Sequence, residues 1–291
     1  KMKEYKSNEE LLNYLISKGI KIKNKKKTLE RLERYTYYSI VNTYKEVFKR
    51  NGNYIDNVTF EEIFALYEFD KNLKAIFLKY ALEIETVIKS LIANTIAEKY
   101  GVEKYLELSC FDTNTKSKEN KVKNFLHQID EEIKNSYGKH PALTHYKDNY
   151  GFIPPFVLVK ILTLGEISRY YMWLQQSDRQ KISKYFKLSD KVLSQVLFNL
   201  SLARNHSAHN NKLYTFHSRF FISFNQIDNN YQMKDKSTNF YMLMKCMSFL
   251  LDKNKYNQFT KQVNSEIKKL GRRLYSISID DILNIMGFPN V

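Results

Sequence analysis

The stretch from Thr59 to Gly101 constrains the fold more than any other part of the chain. Thr59-Phe60-Glu61-Glu62 has the form of a capping box, with a hydroxyl at the N-cap and a glutamate three residues on. Gly101 supplies a stop. Between them Ile63, Leu66, Phe69, Leu73, Ile76, Phe77, Tyr80, Ile84, Val87, Ile88 and Leu91 recur at three- and four-residue steps. That spacing makes an apolar stripe and predicts one or two core helices. Only 8 Gly and 4 Pro occur in 291 residues, too few turn signals for an all-β protein. With 43% apolar residues, 22 Tyr and 19 Phe, the chain has enough material for a sizeable core.

The flanking segments repeat the helical theme. Ser7 with Glu10 opens a first helix that Gly19 ends, and residues 28–50 resume helical spacing with many tyrosines. The run 51–57 breaks the pattern. Residues 102–150 form a polar insertion with a helix expected near 120–136, and its histidines, His127, His140 and His145, read as surface residues without metal-ligand spacing. Pro154-Pro155 opens a helical stretch over 151–174, and another helix is expected over 178–186. Ser189 then caps a helix that runs into the segment "SLARNHSAHNNKLYTF" (201–216). Residues 213–225 are aromatic and read as extended; two helices, about 237–252 and 256–272, precede the tail. The expected fold class is all-α, a helical bundle with decorations.

The chain carries 47 Lys and Arg against 31 Asp and Glu, a formal charge of +16. Such an excess attracts polyanions, nucleic acid first among them. Lys21, Lys23, Lys25, Lys26 and Lys27 crowd one heptapeptide and, with Lys212, are candidate phosphate contacts. Two distant cysteines, Cys110 and Cys246, argue against a disulfide framework or a zinc finger. No segment has the apolar length of a membrane span and the first residues lack a signal-peptide core, so a soluble cytoplasmic protein without membrane partners is expected.

Chemistry concentrates in Arg204-Asn205-His206-Ser207-Ala208-His209. The sequence holds no phosphate-cradling glycine loop, no HExxH and no carboxylate beside His206 and His209, so a metal site or bound cofactor is not expected. Metal-free phosphoryl transfer suits these residues. RNA brings its own nucleophile, the 2′-OH, and needs a group that moves protons near neutral pH, which histidine provides. Arginine's planar fork suits the charge that builds on the phosphorane oxygens. One histidine serves poorly as both base and acid, so the chemistry predicts a symmetric homodimer with His209 and Arg204 from each copy.

The same residues resemble the R-N-x-x-A-H core of HEPN-domain ribonucleases, specifically the Abi-like abortive-infection group (AbiD/AbiF). The stretch around Asp70, Leu73 and Glu85 is similar to that family's "LY-x-F-D … L … I-E … S" helix; "PPFVLVKILTLGEISRYY" and the terminal "IMGFP" resemble two further family segments. Phe156, Ser207, Asn210 and Tyr214 depart from the residues usual there. The resemblance implies an all-α HEPN core (58–291) behind a basic N-terminal helical region (1–57). It implies a metal-independent RNA endonuclease of bacterial anti-phage defence, acting as a toxin. An antitoxin, in some members a small structured RNA, would restrain it. Arg204 and His209 would be catalytic, with Asn205 orienting the site and His206, Asp70 and Glu85 in support. A catalytically silent RNA-binding HEPN scaffold is the alternative.

Overall fold

The computed structural model describes residues 5–209, 211–223 and 237–289. Its centre is α3, Phe60–Tyr100, a single unbroken helix of 41 residues where the periodicity left one or two open. At 1.5 Å per residue it is about 60 Å long. Its start is fixed reciprocally: Glu62 N donates to Thr59 Oγ1 at 3.2 Å, and Thr59 N donates to Glu62 Oε2 at 3.0 Å. Gly101, at φ 77°, closes it. Buried residues lie on nearly every face of α3, as expected of a helix surrounded by others.

Around it pack α6 (Pro155–Ile161), α7 (Leu164–Trp173), α8 (Gln176–Tyr185), α9 (Asp190–Ala208) and α11 (Lys253–Gly271). Polar pairs set their direction. Glu83 with Lys255, Tyr80 with Gln262, Asn72 with Glu266 and Glu68 with Arg273 climb α11 as they descend α3, so these helices are antiparallel. Lys99 and Tyr100 both bond Asp178, which places α8 at the C-terminal end of α3. From there α9 runs back along α3. The fold class is all-α, and the only pairings among the described strands are two two-residue antiparallel ladders, β1 (Lys49–Arg50) with β2 (Asn53–Tyr54) and β3 (His217–Ser218) with β4 (Thr238–Asn239). Among the described residues no helix is long and apolar enough to cross a membrane.

Several boundaries differ from the sequence expectation, each for a local reason. After α1 (Asn8–Ser17), part of the lysine run is already helical: Asn24 Oδ1 accepts the Lys27 N–H at 2.9 Å, and Lys25–Lys27 form the first turn of α2 (Lys25–Tyr35). The helix expected over 28–50 stops at Thr36, which sits at φ 59°, and gives way to a π turn and a 3-10 turn. Asn51 and Gly52, at φ 50° and 82°, then make the two-residue hairpin turn whose positive angles match the twist of β1 and β2. The Thr115 hydroxyl starts α4 (Lys116–Ser136) early by accepting the Lys118 N–H at 3.2 Å. An additional helix follows, α5 (Pro141–Tyr150), opened by Pro141 and closed by Gly151 in the left-handed region. The stretch 151–174 is two helices, because Thr163 and Glu166 form a further capping box that restarts the chain as α7. Of the expected extended segment 213–225, only His217–Ser218 is strand, and residues 224–225 lie outside the described chain. The C-terminal part carries α10 (Phe240–Leu250), α11 and, within the expected tail, α12 (Ile279–Met286). Leu15 and Leu32 before α3 join the same apolar cluster as Phe77, Leu200 and Met247.

Candidate functional site at the end of α9

Ser189 caps α9 by accepting the Val192 N–H at 3.3 Å, and Val192, Leu193, Val196, Leu197, Leu200 and Ala203 bury its inner face. Leu202, on the same helix, is half-buried. The helix ends at Ala208, and His209 is its C-cap, with its N–H on the Asn205 carbonyl at 3.0 Å. Asn205, Ala208 and His209 are exposed on the solvent side of this last turn. Arg204 beside them is half-buried, and its Nη1 lies 3.4 Å from Asn205 Oδ1. The C-terminal end of a helix carries partial negative charge, which favours the Arg204 guanidinium there.

His206 takes a different environment on the same turn. Its ring is half-buried edge-on against Phe216, centroids 5.8 Å apart, and it bonds the Lys212 carbonyl. Burial holds its pKa below the ordinary 6.5; the Lys212 carbonyl and the Asp70 charge oppose that shift, and Lys74 reinforces it. His206 therefore turns inward as a neutral packing group, while His209 faces solvent. Ser207 is buried and donates its hydroxyl to the Ala203 carbonyl at 2.8 Å.

The chain leaving the site is clamped to α3. Asp70 is fully buried; its Oδ1 accepts the backbone N–H groups of Leu213 at 2.8 Å and Tyr214 at 2.9 Å. Its Oδ2 accepts the Tyr44 hydroxyl at 2.7 Å and faces the buried Lys74 ammonium at 3.3 Å. Tyr44 stacks on Tyr214, centroids 6.1 Å apart at 20°. Burial first, then the Asp70 charge, pushes the Tyr44 phenol upward, so it remains a donor. The structure thus brings Asp70 under the Arg204–His209 segment. Lys74 was legible four residues after Asp70 on a helix; Tyr44 and Phe216 carried no local signal.

Other candidates fall elsewhere. Glu85 lies 15 residues beyond Asp70 on α3, about 22 Å along its axis. Its Oε1 pairs with Lys89 at 2.7 Å, its Oε2 is buried without a partner, and it bonds nothing in the Arg204–His209 segment. Lys21, Lys23, Lys25, Lys26 and Lys27 are all exposed; Lys212 is half-buried. Lys21 Nζ reaches Asn57 at 2.7 Å, Lys23 Nζ lies 4.1 Å over the Tyr275 ring, and Lys25 pairs with Glu9 at 3.4 Å. Asn210 lies outside the described residues. Of the tyrosines in 28–50, Tyr44 packs in the core and Tyr35 against Phe64 and Tyr67, whereas Tyr38 is 72% exposed. The three-ligand grouping found among the described residues is His127, Asp130 and Glu131 on α4, with both carboxylates paired to Lys134 at 2.7 and 2.9 Å. His206 and His209 share no such grouping.

These features define an all-α protein with an Arg–His pair on one solvent-facing helix end, seated on a buried carboxylate clamp. Residues 30–215, more than half of the chain, match the family described as Abi-like protein, and the chain belongs to that family. Family membership points to abortive infection, a form of phage defence. No curated protein and no solved structure matches the chain.

Proposed function

We propose that the protein is a metal-independent RNA endonuclease of the HEPN type, acting as a growth-arresting toxin of bacterial phage defence. The observation that carries this reading is the division of labour on the last turn of α9. His209 is exposed and forms no ion pair among the described residues, Arg204 stands on the same helix end, and His206 is turned inward. In the reaction His209 takes the proton from the 2′-OH of RNA. The freed oxygen attacks the adjacent phosphorus, and the P–O5′ bond breaks to leave a 2′,3′-cyclic phosphate and a 5′-hydroxyl. Arg204 faces the phosphorane oxygens, where a fixed guanidinium acts on charge that develops only in the transition state. Asn205, 3.4 Å from Arg204, orients that guanidinium. His209 of a second copy protonates the leaving oxygen, which makes the working unit a homodimer in the cytoplasm. The exposed lysines Lys21 to Lys27, with Lys212, hold the RNA backbone, whether substrate or a restraining antitoxin RNA.

The test is incubation with RNA in EDTA, with analysis of product ends. Cyclic-phosphate ends made by the wild type and lost in His209→Ala are the expected result. Tight RNA binding without cleavage in either protein assigns the alternative, a silent RNA-binding scaffold. Complete loss of cleavage on chelation, restored by a divalent metal, overturns the mechanism.

A further inference from the structure

A second region shows the chemistry of a nucleic-acid contact. On α5 and the start of α6 five rings meet in one surface cluster. Tyr146 and Tyr150, one turn apart on α5, lie 5.4 Å apart at 34°. His145 lies edge-on to both, at 5.7 and 6.0 Å. Phe156 stands edge-on to Tyr146 at 5.8 Å, and Phe152 tilts against Tyr150 at 6.3 Å. The cluster is not core: Tyr150 is 59% exposed and Phe156 47%. Aromatic rings of this size normally contribute their area to a core or an interface.

The charge around the rings selects the partner. Lys147, between the two tyrosines, and Lys160, one turn after Phe156, are exposed and form no ion pair among the described residues. The acidic groups nearby are largely committed: Asp148 accepts the Tyr137 hydroxyl at 2.7 Å, and Asp130, which feels the Lys147 charge, pairs with Lys134. Exposed rings flanked by free ammonium groups, on a chain of charge +16, suit bases that stack and phosphates that follow them.

We propose that this cluster is a stacking platform for unpaired RNA nucleotides, separate from the Arg204–His209 end. Tyr150 and Phe156 present faces to successive bases, and Lys147 and Lys160 meet the backbone between them. The platform lies near the far end of α3: the Tyr105 hydroxyl, just past that helix, bonds the Ile153 carbonyl between α5 and α6 at 2.6 Å. Asp70, under the α9 site, is 30 residues before Tyr100 on the same unbroken helix, about 45 Å of helical rise. Strand nucleotides rise about 3.4 Å each when stacked, so an RNA that reaches both places needs roughly a dozen nucleotides. The platform therefore acts as a length gauge, because only an RNA long enough to reach both places gains from both at once.

This inference rests on the reading of the protein as one that acts on RNA, not on its cleaving it. The test uses the full chain with fluorescent 2′-O-methyl RNA, which lacks the attacking hydroxyl, in lengths of about 6 and about 20 nucleotides. The variant Tyr150→Ala with Phe156→Ala is expected to bind the long RNA about tenfold more weakly, and to lose most of the wild type's preference for the long RNA over the short one. Tyr150→Phe should bind like wild type, because it keeps the stacking face. Phe156→Trp adds an exposed indole to a chain whose one other tryptophan is Trp173, and its emission should be quenched by the long RNA. If the double alanine variant fails to fold by circular dichroism, Lys147→Glu with Lys160→Glu, which leaves the rings in place, is expected to show the same selective loss. Equal affinity of the folded variants and wild type for the long RNA overturns the platform while the proposed nuclease stands. Unchanged RNA affinity with lost self-association assigns the rings to a protein interface and likewise overturns it. Absence of RNA binding by the wild type removes both readings.

Discussion

Asp70 and Leu213 are 143 residues apart in sequence, yet Asp70 Oδ1 accepts the Leu213 backbone N–H at 2.8 Å. This bond, with its neighbour to Tyr214, fixes where the chain leaves the Arg204–His209 turn. Asp70→Ala would strand two buried N–H groups and the Lys74 ammonium at once. Removing one partner of a buried, hydrogen-bonded charge pair costs about 3–5 kcal/mol. Urea unfolding should show a loss of that size, smaller in Asp70→Asn, which retains an acceptor oxygen. A change below about 1 kcal/mol would contradict the clamp.

Arg204 and His209 are expected to behave oppositely. Neither forms an ion pair among the described residues, and His209 is exposed, so alanine at either position should alter unfolding free energy by no more than about 0.5 kcal/mol. Cleavage should nevertheless disappear in both. Arg204→Lys should restore charge without restoring full activity, because an ammonium cannot offer two oxygens a planar fork. Toxicity on expression gives a quick readout, and a toxic His209→Ala would refute the assignment.

His206 predicts a pH signature in stability. Burial depresses its folded pKa below 6.5, so just below that pH the unfolded chain binds the proton more readily than the folded one. Its contribution is complete above 6.5 and is lost as pH falls through the depressed folded value. His206→Gln should flatten this part of the stability profile, measured by denaturation from neutral to mildly acidic pH. A wild-type profile of equal slope to the variant's would count against the inward, neutral ring.

Gly287 accounts for part of the terminal "IMGFP" segment. It ends α12 in the left-handed region at φ 87°, and a Cβ there would run into the side chain of Asn239, which caps α10 by accepting the Met242 N–H at 3.0 Å. Phe288 then packs on Tyr241 at 5.0 Å. Gly287→Ala should destabilise the protein by more than about 1 kcal/mol, seen as a lower Tm. An unchanged Tm would show that α12 shifts freely against α10.

The all-α class and the long α3 were legible because capping boxes and apolar periodicity act within a few residues. So were Ser7, Thr59 and Ser189 as caps. A boundary set by one φ angle was not: Thr36 ends α2 inside a helical pattern. The capping box at Thr163 is as local as the others, but it lies inside an apolar run that reads as one helix. The Arg204–His209 motif was readable as a cluster of cations, and the family follows from it and its flanking segments.

What the sequence determined alone is therefore local: which stretches coil, where they are capped, and that one helix end carries Arg204, His206 and His209. The tertiary structure decided which of those groups faces water. Phe216 and the Lys212 carbonyl draw His206 inward, and Asp70 and Tyr44 clamp the exit from the turn. The physical reason is that desolvation and buried hydrogen bonds depend on residues brought together from 143 positions away, and no local pattern encodes those contacts.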